Sequence, residues 1–181
     1  MKPIKIETNL SVHQIKQLKS QLEKIKTAYS VGCRNLVEYA TQRLYELFVQ
    51  NCKAYNISNP ESRINYEYDD AKKIGRVYTD DIVIIFNEFG TGIKGTQDEW
   101  ANNYNYQVNA SGKGEKGWWY PTDEKDPNPY KWTDRDGNLR ALTHGLDSRH
   151  MLYDAYMQLQ SEMGEIINMT IGKEIGDLYW Q

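Results

Sequence analysis

The stretch Ile82-Val83-Ile84-Ile85-Phe86-Asn87-Glu88-Phe89-Gly90-Thr91-Gly92 decides how the rest of the chain is read. A short apolar run rich in β-branched residues, then a polar pair and a Gly-Thr-Gly break, predicts a buried strand entering a tight turn. A helix would need about twice the length and no glycine stop. Upstream the pattern has period two. Ile64, Tyr66 and Tyr68 alternate with Asn65, Glu67 and Asp69, and Lys73 to Tyr78 form a second β segment. The polar breaks at Asp69-Asp70 and Thr79-Asp80-Asp81 leave no room for a crossover helix, so 63–89 reads as an antiparallel meander.

Ahead of the meander lie two amphipathic segments, expected together over 11–56. Ser11-Val12-His13-Gln14 is a capping-box pattern, followed by Ile15, Leu18, Leu22, Ile25 and Tyr29 at steps of three and four. The opposite side carries Lys16, Lys19, Glu23, Lys24 and Lys26, a solvated face. Gly32 punctuates. The second segment places Leu36, Val37, Ala40, Leu44, Leu47, Phe48 and Cys52 on one side, ending near Asn56. The two form either a hairpin or one bent rod. The strict heptad spacing of the first also suits a helix between subunits, but packing in the core of one subunit is the commoner use of such a stripe and is the expectation. Cys33 and Cys52, roughly 28 Å apart along a helix, read as two free thiols.

Downstream, Gly90 to Pro129 is a long irregular insert holding Trp100, Tyr104, Tyr106, Trp118, Trp119 and Tyr120. So long a structureless stretch implies function, or ordering against a partner. Asp136-Gly137 marks a hairpin turn over 130–141. The last helix spans 147–173, capped by Asp147 or Ser148, with Met151, Leu152, Ala155, Tyr156, Leu159, Met163, Ile166, Ile167 and Thr170 at helical spacing. The fold class is α+β: an N-terminal helical pair, an antiparallel sheet of four or five strands, a long loop insert, and a C-terminal helix packed on the sheet.

At 181 residues the chain has the length of one domain. A net charge of −3 with no basic run argues against a sequence-independent grip on nucleic acid. No apolar run is long enough for a membrane span and the first ten residues lack a signal-peptide core, so the protein is expected in the cytoplasm where it is made, sequons such as those at Asn56, Asn109 and Asn168 unused. Fourteen Tyr and five Trp supply aromatic area with polar tips, which suits surfaces buried on association.

Several motifs invite chemistry. Gly90-Thr91-Gly92-Ile93-Lys94-Gly95 is a literal G-x-G-x-x-G, with Glu115 about 20 positions beyond, but no apolar strand lies between them to complete a βαβ unit. His144, Asp147 and His150 are three apart and fan around a helix axis instead of sharing a face. Glu88 and Glu99 lie among tryptophans, yet spacing selects no glycosidase pair. Trp118-Trp119-Tyr120-Pro121 could stack on sugar or base; exposed aromatics on a long loop more often mark a protein interface. No catalytic residue, cofactor or metal is expected. The alternatives are a nucleotide-binding enzyme using the 90–95 glycine loop, or a carbohydrate-binding module using the Trp-rich loop.

Asn87-Glu88-Phe89-Gly90-Thr91-Gly92 closing an apolar run, after paired helices and a β segment and before a C-terminal helix that begins beyond Gly145 near Met151, resembles the tail-completion or head-tail joining proteins of long-tailed bacteriophages. That family shows Glu-Phe-Gly-Thr or Glu-Tyr-Gly-Thr here. Its Pro-x-x-Thr-Gly-x-Leu segment is absent, replaced by Ser58-Asn59-Pro60-Glu61-Ser62-Arg63-Ile64. The resemblance implies a structural virion protein, a ring of identical copies in the neck between head and tail, touching other neck, tail-terminator or connector proteins and letting DNA pass through its lumen unbound. It places assembly at Glu88, Phe89, Gly90, Thr91 and Gly92, with Glu88 pairing across a subunit boundary, and makes Trp118, Trp119 and Tyr120 an arm that clasps a neighbour.

Overall fold

The computed structural model describes residues 12–95, 106 and 114–179. The chain is α+β, as its patterning implies, with helices at both ends and two small antiparallel sheets between. It packs as two compact units, each drawn from separate parts of the sequence.

The first unit takes the chain up to Gln42, Glu67–Arg76 and the chain from Ser161 onward. Helix α1 (Val12–Ala54) enters it, and the helix is continuous where Gly32 suggested a break. Gly32 serves close approach instead: a Cβ there would stand 2.9 Å from the Ile171 Cα. Thr170 is buried and its hydroxyl donates to the Ile166 carbonyl at 2.7 Å. This lies where helix α4 (Met151–Ile167) widens into a π turn (Asn168–Gly172) before helix α5 (Lys173–Tyr179). Asn35 donates to Glu174 at 3.2 Å.

The second unit comprises Arg43–Tyr66 and Val77–Gln160. Its core joins Leu47, Phe48 and Cys52 of α1 to Ile57 and Ile64, to Ile84, and to Met151, Ala155 and Leu159 of α4. Each large side chain fully buried there contributes about 1.5–3 kcal/mol. Strands β1 (Asn65–Asp69) and β2 (Ile74–Tyr78), of which Glu67–Arg76 belongs to the first unit, form the hairpin expected from the period-two pattern, with Lys73 at φ 53° in its turn. The third member of that meander is not a strand. Ile82–Phe89 is helix α2, followed by a single helical turn, α3 (Gly92–Gly95).

A separate three-stranded sheet has the order β3 (Trp118–Pro121), β5 (Leu139–Thr143), β4 (Lys131–Thr133). The hairpin signal at Asp136-Gly137 is met. Gly137 sits at φ 81°, and the Asp134 carboxylate accepts from the amides of Asp136 and Asn138. The expected sheet of four or five strands is thus two sheets. Helix α4 begins against helices, with Asn51 of α1 donating to the Met151 carbonyl at 2.9 Å.

The two thiols are free and differently placed. Cys52 is fully buried; burial first, and the nearby Glu88 charge second, push its pKa up to about 12. Iodoacetamide at pH 8 should therefore modify Cys33 alone in the native chain and both thiols after denaturation. Mass spectrometry of the alkylated protein reads the difference, and rapid native labelling of Cys52 would contradict this core.

Candidate functional site

Helix α2 is built from its ends. Asp81 stands before it in extended backbone, and its Oδ1 accepts from the amides of Val83 at 2.9 Å and Ile84 at 3.1 Å. Its Oδ2 accepts from Arg63 Nε at 2.8 Å, and Thr79 Oγ1 accepts from the Asp81 amide. These bonds hold the run Ile82–Ile85 helical against its strand preference, which amounts to about 0.5 kcal/mol per β-branched residue. The resulting helix is apolar on both its buried and its exposed side. Ile84, Asn87 and Glu88 are buried, whereas Ile82, Val83 and Phe86 are 38–55% exposed. Asn87 is accommodated by donating to the Val83 carbonyl at 2.7 Å and by accepting, at its own carbonyl, the Arg149 amide at 2.7 Å.

Glu88, 3% exposed, ends this helix, and its carboxylate starts another. Oε2 accepts from the Leu152 amide at 2.7 Å and Oε1 from Tyr153 at 3.2 Å, in the first turn of α4. Two N–H groups that have no partner inside the helix are thereby satisfied, and a negative charge faces the positive end of the helix dipole. The expected caps, Asp147 and Ser148, do not do this. Nor does Glu88 end a strand and pair outward, since both oxygens are engaged within the chain.

The turn after Glu88 is closed as tightly. Gly90 and Gly92 have φ 75° and 62°, and Gly145 opposite them has φ 129°. A Cβ on Gly145 would lie 1.9 Å from the Thr91 carbonyl oxygen, and one on Gly92 would lie 2.3 Å from that of His144. Thr91 and Gly92 bridge to Leu146 and Gly145, the two residues of β6. The buried Thr91 hydroxyl accepts from the Leu146 amide at 3.0 Å. A dinucleotide loop leaves a strand and keeps its backbone open to phosphate; this one leaves a helix and faces backbone on the other side.

The aromatic candidates lie elsewhere in the same unit. Phe89 stacks on Tyr106, ring centroids 4.8 Å apart. Trp118, Trp119 and Tyr120 belong to strand β3, not to an irregular arm; Trp100 and Tyr104 fall outside the described residues. Register with β5 puts Trp118 opposite Thr143 and Tyr120 opposite Ala141, on one face, and Trp119 opposite Leu142, on the other. The first face joins α2 and β6 around an open apolar groove of about 460 Å³ lined by Val83, Phe86, Trp118, Tyr120 and Leu146. On the second face Trp119 meets Trp132 of β4 at 6.1 Å, both exposed.

Tyr120 also ties down the loop beyond β3. Asp126 accepts from the hydroxyls of Thr122 and Tyr120 and from the Asn128 amide, and these bonds, in that order, lower its pKa to about 2. The histidines engage local partners: His144 Nδ1 is 3.2 Å from the Gly114 carbonyl and His150 Nε2 is 3.0 Å from Ser148 Oγ. Among the described residues no three His, Cys, Asp or Glu side chains are grouped to hold a metal, and no helix is long and apolar enough to cross a membrane. Comparison with protein-family models, curated proteins and solved structures finds no match.

Sequence reasoning missed Asp81 as a structural residue and Trp132 as a surface one, and named Gly145 only as the entry to the last helix. Asp81 carried a usable signal, an N-cap residue directly before an apolar run.

Glu88→Ala leaves two helix-start amides without their acceptor and should lower stability by about 2–4 kcal/mol in urea denaturation, with Glu88→Gln losing less. Gly145→Ala should be worse, because the strain falls on backbone at both sides of the joint. For Asp126 the lowered folded pKa means stabilisation that is complete above the unfolded value near ~4 and lost as pH falls through about 2. Thermal melts of wild type and Asp126→Asn should therefore differ by a constant amount from pH 7 to about 5 and converge below that. A difference that grows towards acid would reverse the sign of this assignment.

Proposed function

We propose that this chain is a structural subunit of a tailed-phage neck, a tail-completion or head-tail joining protein that acts as a homo-oligomeric ring in the virion and performs no catalysis. The observation that carries the reading is the exposed apolar face of α2. A helix that buries Asn and Glu and turns Ile82, Val83 and Phe86 outward, beside an open apolar groove, is costly for an isolated chain and reasonable for a subunit whose outer face is covered by a neighbour. A second observation supports it. The two separated parts of the phage-neck resemblance, Asn87 to Gly92 and the stretch from Gly145 to Met151, meet at one locked joint, as one constraint on a shared fold would require.

In this reading Glu88, Gly90, Thr91 and Gly92 set the shape of the assembly surface from beneath, while Val83, Phe86, Trp118 and Tyr120 form it. Neighbouring neck, terminator or connector proteins bind the ring faces, and DNA passes without specific contact. The rival supported by a specific feature is a carbohydrate binder using the exposed Trp119 and Trp132 pair.

Electron microscopy of the purified protein should show closed rings, and virions lacking it should leave heads and tails unjoined. Val83→Glu with Phe86→Glu should abolish the rings while the Cys52 thiol stays protected. A glycan that quenches tryptophan emission at micromolar concentration would favour the rival. A nucleotide that raises the melting temperature, worth about 2.7 kcal/mol at 100 times its dissociation constant, would favour an enzyme.

A further inference from the structure

In the first unit most of the apolar stripe of α1 has no cover among the described residues, Ile25 alone being half-buried. Ile15, Leu18, Leu22 and Tyr29 are 47–57% exposed, and every residue from 15 to 24 is exposed, whichever side of the helix it occupies. Packing inside one subunit, the commoner use of such a stripe, is not met among the described residues. A helical stretch with no packed face is marginal by itself, since helices of this length draw their stability from tertiary contact.

The spacing says what kind of contact is missing. Ile15, Leu18, Leu22, Ile25 and Tyr29 keep an average step of 3.5, the a and d positions of a heptad. A straight helix drifts about 20° per heptad from that repeat, so the stripe stays on a seam only if it supercoils with a helix of the same repeat. A second copy of α1 carries that repeat. The flanks favour it in one orientation. Lys19 and Lys26 occupy the e positions, Gln21 and Ala28 the g positions. In a parallel pair the g residues of one helix face the e residues of the other, so Gln21 meets lysine without repulsion. An antiparallel pair would bring lysines of the two helices together.

We propose that residues 15–29 of α1 form a parallel, in-register coiled-coil seam with the same segment of a second copy of this chain. The seam stands apart from the phage-neck reading and from the α2 surface. Parallel packing is also the arrangement that equivalent helices adopt about a cyclic axis, so the seam is compatible with a ring.

The test uses the full chain. Sedimentation velocity of wild type at tens of micromolar should give at least twice the 21.2 kDa chain mass, and in the Val83→Glu, Phe86→Glu background, where the α2 surface contributes nothing, Leu18→Glu with Leu22→Glu should reduce the mass at least twofold while Cys52 remains protected from alkylation. Seam positions in a parallel pair lie roughly 5–6 Å apart between Cα atoms, within disulfide reach. Leu18→Cys should therefore oxidise to a covalent dimer well above the wild-type baseline, and Lys24→Cys, on the outer side, should not. A monomeric wild type, a mass unmoved by the double glutamate variant, or failure of Leu18→Cys to cross-link would each overturn the seam. Val83→Glu with Phe86→Glu should leave the Leu18→Cys cross-link intact, which separates failure of the seam from failure of the ring reading.

Discussion

The second unit depends on one buried carboxylate. From the last turn of α2, Glu88 caps the start of α4 with both carboxylate oxygens, so two helices distant in sequence are joined through one side chain. Burying a carboxylate costs several kcal/mol unless its oxygens find donors, and the amides of a helix start offer such donors. The glycines at 90, 92 and 145 follow from this constraint. With Glu88 fixed against α4, the chain leaving α2 must pass directly over β6, at distances that exclude a Cβ.

The helical ends, the first hairpin and the Asp136-Gly137 hairpin were legible in the sequence because each is a local signal: a period of 3.6, a period of two, a turn requiring positive φ. The central element was not. Ile82–Phe86 reads as a strand when apolar residues are taken to mark the buried face, and here Ile84 is buried while Ile82, Val83 and Phe86 are exposed. The buried positions, Ile84, Asn87 and Glu88, do follow helical spacing, but two are polar and their partners lie in α4. Asp81 alone pointed locally to a helix. Gly32 misled in a similar way, standing where another helix approaches and not where its own ends.

The candidate site was half legible. Glu88-Phe89-Gly90-Thr91-Gly92 was read as a joint between identical copies; the bonds found there join α2, α4 and β6 of one chain, and the expectation of an outward Glu88 came from reading its first element as a strand. The surface candidates moved in turn: Trp118 and Tyr120 line a groove beside Val83 and Phe86, and Trp119 lies on the opposite face of its sheet.

The most direct measurement is site-resolved hydrogen exchange at the Leu152 and Tyr153 amides, compared between dilute chain and concentrated assembly. A joint made within one chain predicts strong and equal protection in both, lost only in Glu88→Ala. Free exchange in the dilute chain, with protection appearing only on assembly, would place the Glu88 contact between copies and contradict the account.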